Sequence, residues 1–168
     1  MPMHALEMVL DVASDARIRD EWAALVAAGL PSQAQHHSAS NAPHITVLSA
    51  DREAVDAVEP VAGERLGPLL PRTLSVAGVV VFGGGPFAVA RLVLPDLETL
   101  AAVGEVRGHI SGADGGWVAH VTLARRVAAG DLGRVLEVAA GSRLNGVVVA
   151  GLRRWDPDRR ETRVLAGR

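Results

Sequence analysis

The chain has 168 residues, 49% of them hydrophobic and 21% charged, with a formal net charge of −2 and no cysteine. That length supports one domain with its own core, no window approaches the ~18 uninterrupted apolar residues of a membrane span, and the missing thiols exclude disulfides and thiolate catalysis. The slightly acidic balance argues against coating long stretches of nucleic acid, while leaving room for a nucleotide or an RNA end in a locally basic cleft.

Residues 5–12, ALEMVLDV, are apolar and compact and predict a strand. The acid at Glu7 and the lack of a basic region before the apolar run argue against a signal peptide, so the cytoplasm is the expected location. Residues 15–28 follow with Ile18, Trp22, Leu25 and Val26 at helical spacing, ended by Gly29 and Pro31. The polar, unpatterned stretch 31–43 predicts a loop, and HITVLSA (44–50) a second strand. Residues 51–66 carry Val55, Val58, Val61 and Leu66 on a helical face that Pro60 is expected to interrupt. LSVAGVVVF (74–82) and FAVARLVL (87–94) flank GGGP and predict a hairpin. Pro95 and Asp96 open a helix over DLETLAAVGEVRGHI, and Gly112 to Gly116 form a turn before the strand WVAHVTLA. A short helix at 131–140 and two strands, LNGVVVAGL and ETRVLA, around a WDPDR turn complete the chain.

The same order of elements occurs twice, and each copy places His-x-Thr on its second strand. The motifs begin 76 residues apart, at His44 and His120. Such an order predicts a duplicated α+β unit with pseudo-twofold symmetry. In a strand, residues i and i+2 share a face, so His44 lies with Thr46 and His120 with Thr122, while Ile45 and Val121 point into apolar packing. Random placement of six histidines and five threonines gives roughly 0.2 such triplets in a chain of this length. Two, at equivalent places of a repeat, exceed that.

Two imidazoles and two hydroxyls in one pocket suit some chemistries better than others. Threonine is a weak zinc ligand, and no further histidine or acid stands at fixed spacing from either motif. A serine-type triad lacks its local orienting acid. In-line phosphoryl transfer fits: one histidine takes a proton from the attacking oxygen and the other gives one to the leaving oxygen. Histidine serves either role near neutrality, and threonine hydroxyls can stabilise the non-bridging oxygens. No metal and no cofactor are expected. With all 17 basic residues arginine, lysine-dependent mechanisms have no residue to carry them.

Paired His-x-Thr motifs half a chain apart resemble those of the two-histidine (2H) phosphoesterase superfamily. HVTLAR at 120–125 is similar to the second motif of its 2′-5′ RNA ligase-like branch, also described as RNA 2′,3′-cyclic phosphodiesterases. The resemblance covers the whole chain in motif placement and implies one bilobal α+β domain over residues 1–168, with two antiparallel sheets facing a central cleft and helices outside. It also implies catalytic His44 and His120, substrate-binding Thr46, Thr122 and Arg125, and action on RNA 2′,3′-cyclic phosphate ends or cyclic nucleotides, with RNA ligation as the reverse reaction. Membrane and obligate protein partners are not expected. Strict alternation aims Arg126, not Arg125, at the histidine face, so Arg125 needs a twist or bulge. The first motif continues as VLSA where that branch commonly reads phenylalanine-leucine-glycine, which leaves the substrate open: a small cyclic nucleotide or ADP-ribose derivative is one alternative, and a module that binds a phosphorylated ligand without turnover is another.

Other residues have plainer expected roles. His36 and His37 lie in the solvated 31–43 loop, which could cover a cleft. His109 sits where it favours a helix dipole, and His4 is terminal. The glycines at 83–85 serve a hairpin rather than a phosphate cradle. Arg153, Arg154, Arg159, Arg160 and Arg163 are interleaved with acids around a turn, as a solvated hairpin or an RNA-contacting patch. Trp117 and Trp155 are expected in core or rim packing, with base stacking as the alternative.

Overall fold

The computed structural model describes residues 3–110 and 116–167. Seven strands and four helices follow the predicted order: β1 His4–Leu10, α1 Val12–Ala27, β2 His44–Ala50, α2 Arg52–Leu66, β3 Arg72–Phe82, β4 Phe87–Leu94, α3 Leu97–Gly108, β5 His120–Val127, α4 Leu132–Ala140, β6 Gly146–Asp156 and β7 Glu161–Gly167. The fold class is α+β. No helix is long and apolar enough to cross a membrane among the described residues.

All strand pairs are antiparallel, in the order β2-β1-β6-β3-β4-β5, with β7 also on β6. Exchanging β1 with β4, β2 with β5 and β3 with β6 returns the same list reversed. The expected pseudo-twofold is therefore written in the pairing, with its axis between β3 and β6. Two half-sheets result, and they are joined there by four register pairs, Arg72–Ser75 against Gly146–Val149. Beyond that seam β6 takes β7 as its neighbour over Gly151–Asp156.

Three of the helices begin the same way. Asp11, Asp51 and Asp96 precede α1, α2 and α3, and each carboxylate accepts the backbone N–H three residues on. The helix over 52–66 continues through Pro60 rather than stopping there, because its buried face, Val55, Val58, Ala62 and Leu66, holds it against the sheet. The 31–43 loop contains one short 3₁₀ turn, Gln33–Gln35, closed by a Ser32–Gln35 capping box. The turn expected at 112–116 lies, but for Gly116, outside the described residues.

Ile45 and Val47 of β2 and Val121 and Leu123 of β5 have no exposed surface and sit in one core cluster. The helices cross over in covering them. The first helix of the chain, α1, packs on β5 and pairs with α4, while α3 packs on β2 and pairs with α2. The opposite faces of β2 and β5 carry the two His-x-Thr pairs.

Candidate active site

The outermost strands of the ladder, β2 and β5, contact each other, so the joined half-sheets curl into a cleft of about 310 Å³. His44, Thr46, His120, Thr122 and Arg125 all line it, together with Trp22, Gln33, Phe82 and the 42–43 segment. Both histidines and both threonines are half-buried, as a site that must admit a solute from water requires.

The two rings are fixed in the same manner. His44 Nδ1 lies 2.7 Å from the Ala42 carbonyl and His120 Nδ1 lies 2.8 Å from the Val118 carbonyl, each two residues back along the chain. A carbonyl oxygen only accepts, so Nδ1 carries the proton in both rings and Nε2 is left for chemistry. Neither the Thr46 nor the Thr122 hydroxyl has a hydrogen-bond partner among the described residues, which leaves both as donors to a ligand.

The backbone under each threonine is also tied. Trp22 Nε1 donates to the Thr122 carbonyl and Trp117 Nε1 to the Thr46 carbonyl, both at 2.9 Å. As β2 and β5 are edge strands, these carbonyls lack a ladder partner, and an indole N–H supplies one. The two tryptophans are not repeat equivalents: Trp22 is inside α1, whereas Trp117 precedes β5 by three residues. Their shared role was not visible in the sequence, where Trp22 reads as a core residue. Arg19 stacks over the Trp22 ring at 5.4 Å and donates to the Asn41 carbonyl, tying α1 to the loop that leads into His44.

Arg125 reaches the cleft through a local break in strand alternation. The β4–β5 register shifts between Phe87 and Val89 and again before Ala90, and Arg126 has φ 56°. This left-handed residue re-aims its neighbours. Arg125 is exposed and makes no hydrogen bond or ion pair among the described residues, while Arg126 lines an adjoining groove with Gln35, His36 and Phe87.

The strands next to the histidines add groups that the sequence did not single out. Glu7 pairs in register with Thr46 and its Oε1 lies 3.5 Å from His44 Nε2, while its Oε2 accepts from Arg153 Nε at 2.8 Å. Beside His120 stands the Phe82 ring, centroids 4.7 Å apart. An acid inside the apolar run ALEMVLDV was the available signal for Glu7. Arg153 and Arg154, expected together on a surface hairpin, project from opposite faces of β6. Arg153 serves Glu7, and Arg154 is buried against Asp56, Glu59 and His4. His4, set aside as terminal, is 2% exposed in that network. His109 closes α3, its Nδ1 bonded to the Glu105 carbonyl.

Among the described residues one group has three side chains placed to hold a metal, His4, Asp156 and Asp158. It shares no residue with the cleft, and Arg52 and His4 already occupy Asp158.

No protein-family model matches the sequence, and no curated protein matches it. Solved structures do resemble it. LigT of E. coli complexed with 3′-AMP superposes with a TM-score of 0.54 at 15% identity, over 97% of this chain and 93% of that one. Usb1 of Kluyveromyces marxianus with uridine monophosphate gives 0.55 at 10% identity, over 98% of each. TT0787 of Thermus thermophilus gives 0.53 at 19% identity, again over 98% of each. At such identities the likeness is one of fold. The chain shares the α+β fold of these proteins and of a further similar structure described as a phosphoesterase.

Proposed function

We propose that this chain is a metal-independent phosphodiesterase that opens 2′,3′-cyclic phosphate ends of RNA or small nucleotides. The observation that carries the reading is the presence in one cleft of two imidazoles, each with Nδ1 locked to a backbone carbonyl, beside two hydroxyls and an arginine that have no partner among the described residues. In the reaction one Nε2 takes a proton from water as its oxygen attacks phosphorus. The opposite P–O ring bond breaks, and the other Nε2 gives a proton to the departing ribose oxygen, leaving a monoester. Thr46, Thr122 and Arg125 bind the non-bridging oxygens, whose charge grows in the transition state. Run backwards, the same steps join a cyclic phosphate to a hydroxyl. Support for independence from metal comes from the donors: no three histidine or carboxylate ligand atoms converge in the cleft among the described residues.

That similar structures hold 3′-AMP and uridine monophosphate supports a nucleotide substrate. A second reading keeps the chemistry but takes a small nucleotide derivative in place of an RNA end. The net charge of −2 favours it, as does a similar LigT structure complexed with NADP+. The test is incubation with 2′,3′-cyclic nucleotides and with oligonucleotides ending in a cyclic phosphate, in EDTA, followed by separation of products. Monoester from both is the expected result. Product from the mononucleotides alone selects the second reading. Loss of turnover in EDTA with rescue by one defined metal overturns the mechanism, and binding without product reduces the chain to a binding module.

A further inference from the structure

The pseudo-twofold repeats the histidine and threonine but not their neighbours. The residue in register with Thr46 on β1 is Glu7, whereas the one in register with Thr122 on β4 is Ala90. Glu7 is 6% exposed, so its carboxylate loses most of its water and must be compensated. Arg153 does this from β6 through its bond to Oε2, and its other end donates to the Ser40 carbonyl at 3.1 Å, in the loop before β2. The second oxygen, Oε1, faces His44 Nε2 at 3.5 Å.

This contact has a sign. With the Nδ1 proton committed to the Ala42 carbonyl, a neutral His44 turns the Nε2 lone pair toward a carboxylate oxygen, which repels it. With Nε2 also protonated, the same contact attracts. His120 has no carboxylate beside it among the described residues, only the Phe82 ring. Glu7 itself lies behind the cleft lining, where the charged side chain besides the histidines is Arg125 of β5, which is solvent-exposed.

We propose that Glu7, clamped by Arg153, is a positioning residue that holds His44 with a proton on Nε2 and thereby assigns the two histidines different roles. The inference rests on the phosphodiesterase reading above. His120 Nε2 takes the proton from water as the new O–P bond forms. His44 Nε2 donates its proton to the ribose oxygen as the ring P–O bond breaks, and exchange with solvent restores both rings.

A leaving group that needs no proton separates this role from a structural one. Turnover of a 2′,3′-cyclic nucleotide, whose alkoxide leaves poorly, is compared with that of a p-nitrophenyl phosphodiester, whose phenolate leaves unaided. Glu7→Gln is expected to lower kcat on the cyclic nucleotide by about 10- to 100-fold, a part of the general-acid contribution, with KM little changed. On the aryl ester it stays within about twofold of wild type. His120→Ala is expected to lose both substrates. Should Glu7→Gln fail to fold by circular dichroism, Glu7→Asp keeps the charge and shortens its reach, and the same selective loss is expected at smaller size. Equal losses on the two substrates, or none on either, overturn the proposal while the phosphodiesterase reading stands. A wild-type chain that turns over neither substrate overturns both.

Discussion

On the proposed mechanism one ring gains a proton as the other loses one, so replacing His44 or His120 is expected to interrupt a single transition state. Each alanine variant is expected to lose about 10²–10⁴-fold in kcat, and the double variant to be little worse than the worse single one, since residues acting as a unit are non-additive. Thr46→Val and Thr122→Val are expected to cost about 10²–10³-fold as lost donors to the phosphoryl oxygens. Steady-state kinetics on a 2′,3′-cyclic nucleotide read all five variants, and near-native turnover by a folded His44→Ala chain sinks the assignment. At this scale the sequence made the paired motifs legible, because alternation on a strand is a local rule. It could not reveal Glu7 or the two tryptophans. Their partners are 37 residues away or more, and no local periodicity links Glu7 to His44, Trp22 to Thr122 or Trp117 to Thr46. Arg125 lay between the two cases: alternation pointed away from the cleft, and the bulge that turns it inward depends on the register with β4.

Helices and strands were largely readable from apolar spacing and from their stops, and the misreadings arose where tertiary packing outweighs a local signal. Pro60 is the clearest: a residue that breaks isolated helices is carried by the buried face of α2. The start of α3 shows what a cap contributes beyond a stop signal. Asp96 accepts from the Thr99 N–H at 2.9 Å and from Arg72 Nε of β3 at 2.7 Å, so it anchors the helix to the sheet seam. The hydrogen bond from Arg72, then the backbone bond from Thr99, hold its carboxyl well below the usual carboxylate range. The group is thus depressed in the folded chain relative to about 3.9 when unfolded. Its contribution to stability is present above that value and is lost as pH falls through the range below it. Asp96→Asn keeps a good cap and removes the charge. Its melting temperature is expected to fall below wild type at neutral pH and to converge with it on acidification below about pH 4. A deficit that stays constant with pH assigns the loss to the cap alone.

The crossed helices bind the two halves of the molecule together. Although α1 follows β1 in sequence, it covers β5 and lies against α4, and its anchor there is a buried ion pair. Arg91 of β4 and Glu21 of α1 each leave 5% of the side chain exposed and meet at 2.9 Å. Arg91 also donates to the Ala139 and Ser142 carbonyls at the end of α4, and the Ser142 hydroxyl donates to Glu21. Every charge in the group is matched, so removing one partner leaves the other buried without compensation. Arg91→Met is expected to cost about 3–5 kcal/mol, or roughly 10 °C in Tm for a chain of this length. The shape of the transition matters more than its midpoint. If each half folded by itself, loosening α1 from β4 would split the melt in two. With each half lending a helix to the other, wild type and Arg91→Met should both unfold in one step, with equal calorimetric and van't Hoff enthalpies. Differential scanning calorimetry decides between these, and a biphasic melt in either protein rejects the interlocked arrangement. The same interlock serves the cleft, because Trp22 reaches Thr122 only while α1 stays on β5. Arg91→Met should therefore lose turnover at temperatures just below its own melting transition, as the carbonyl anchor under Thr122 loosens with the helix that supplies it.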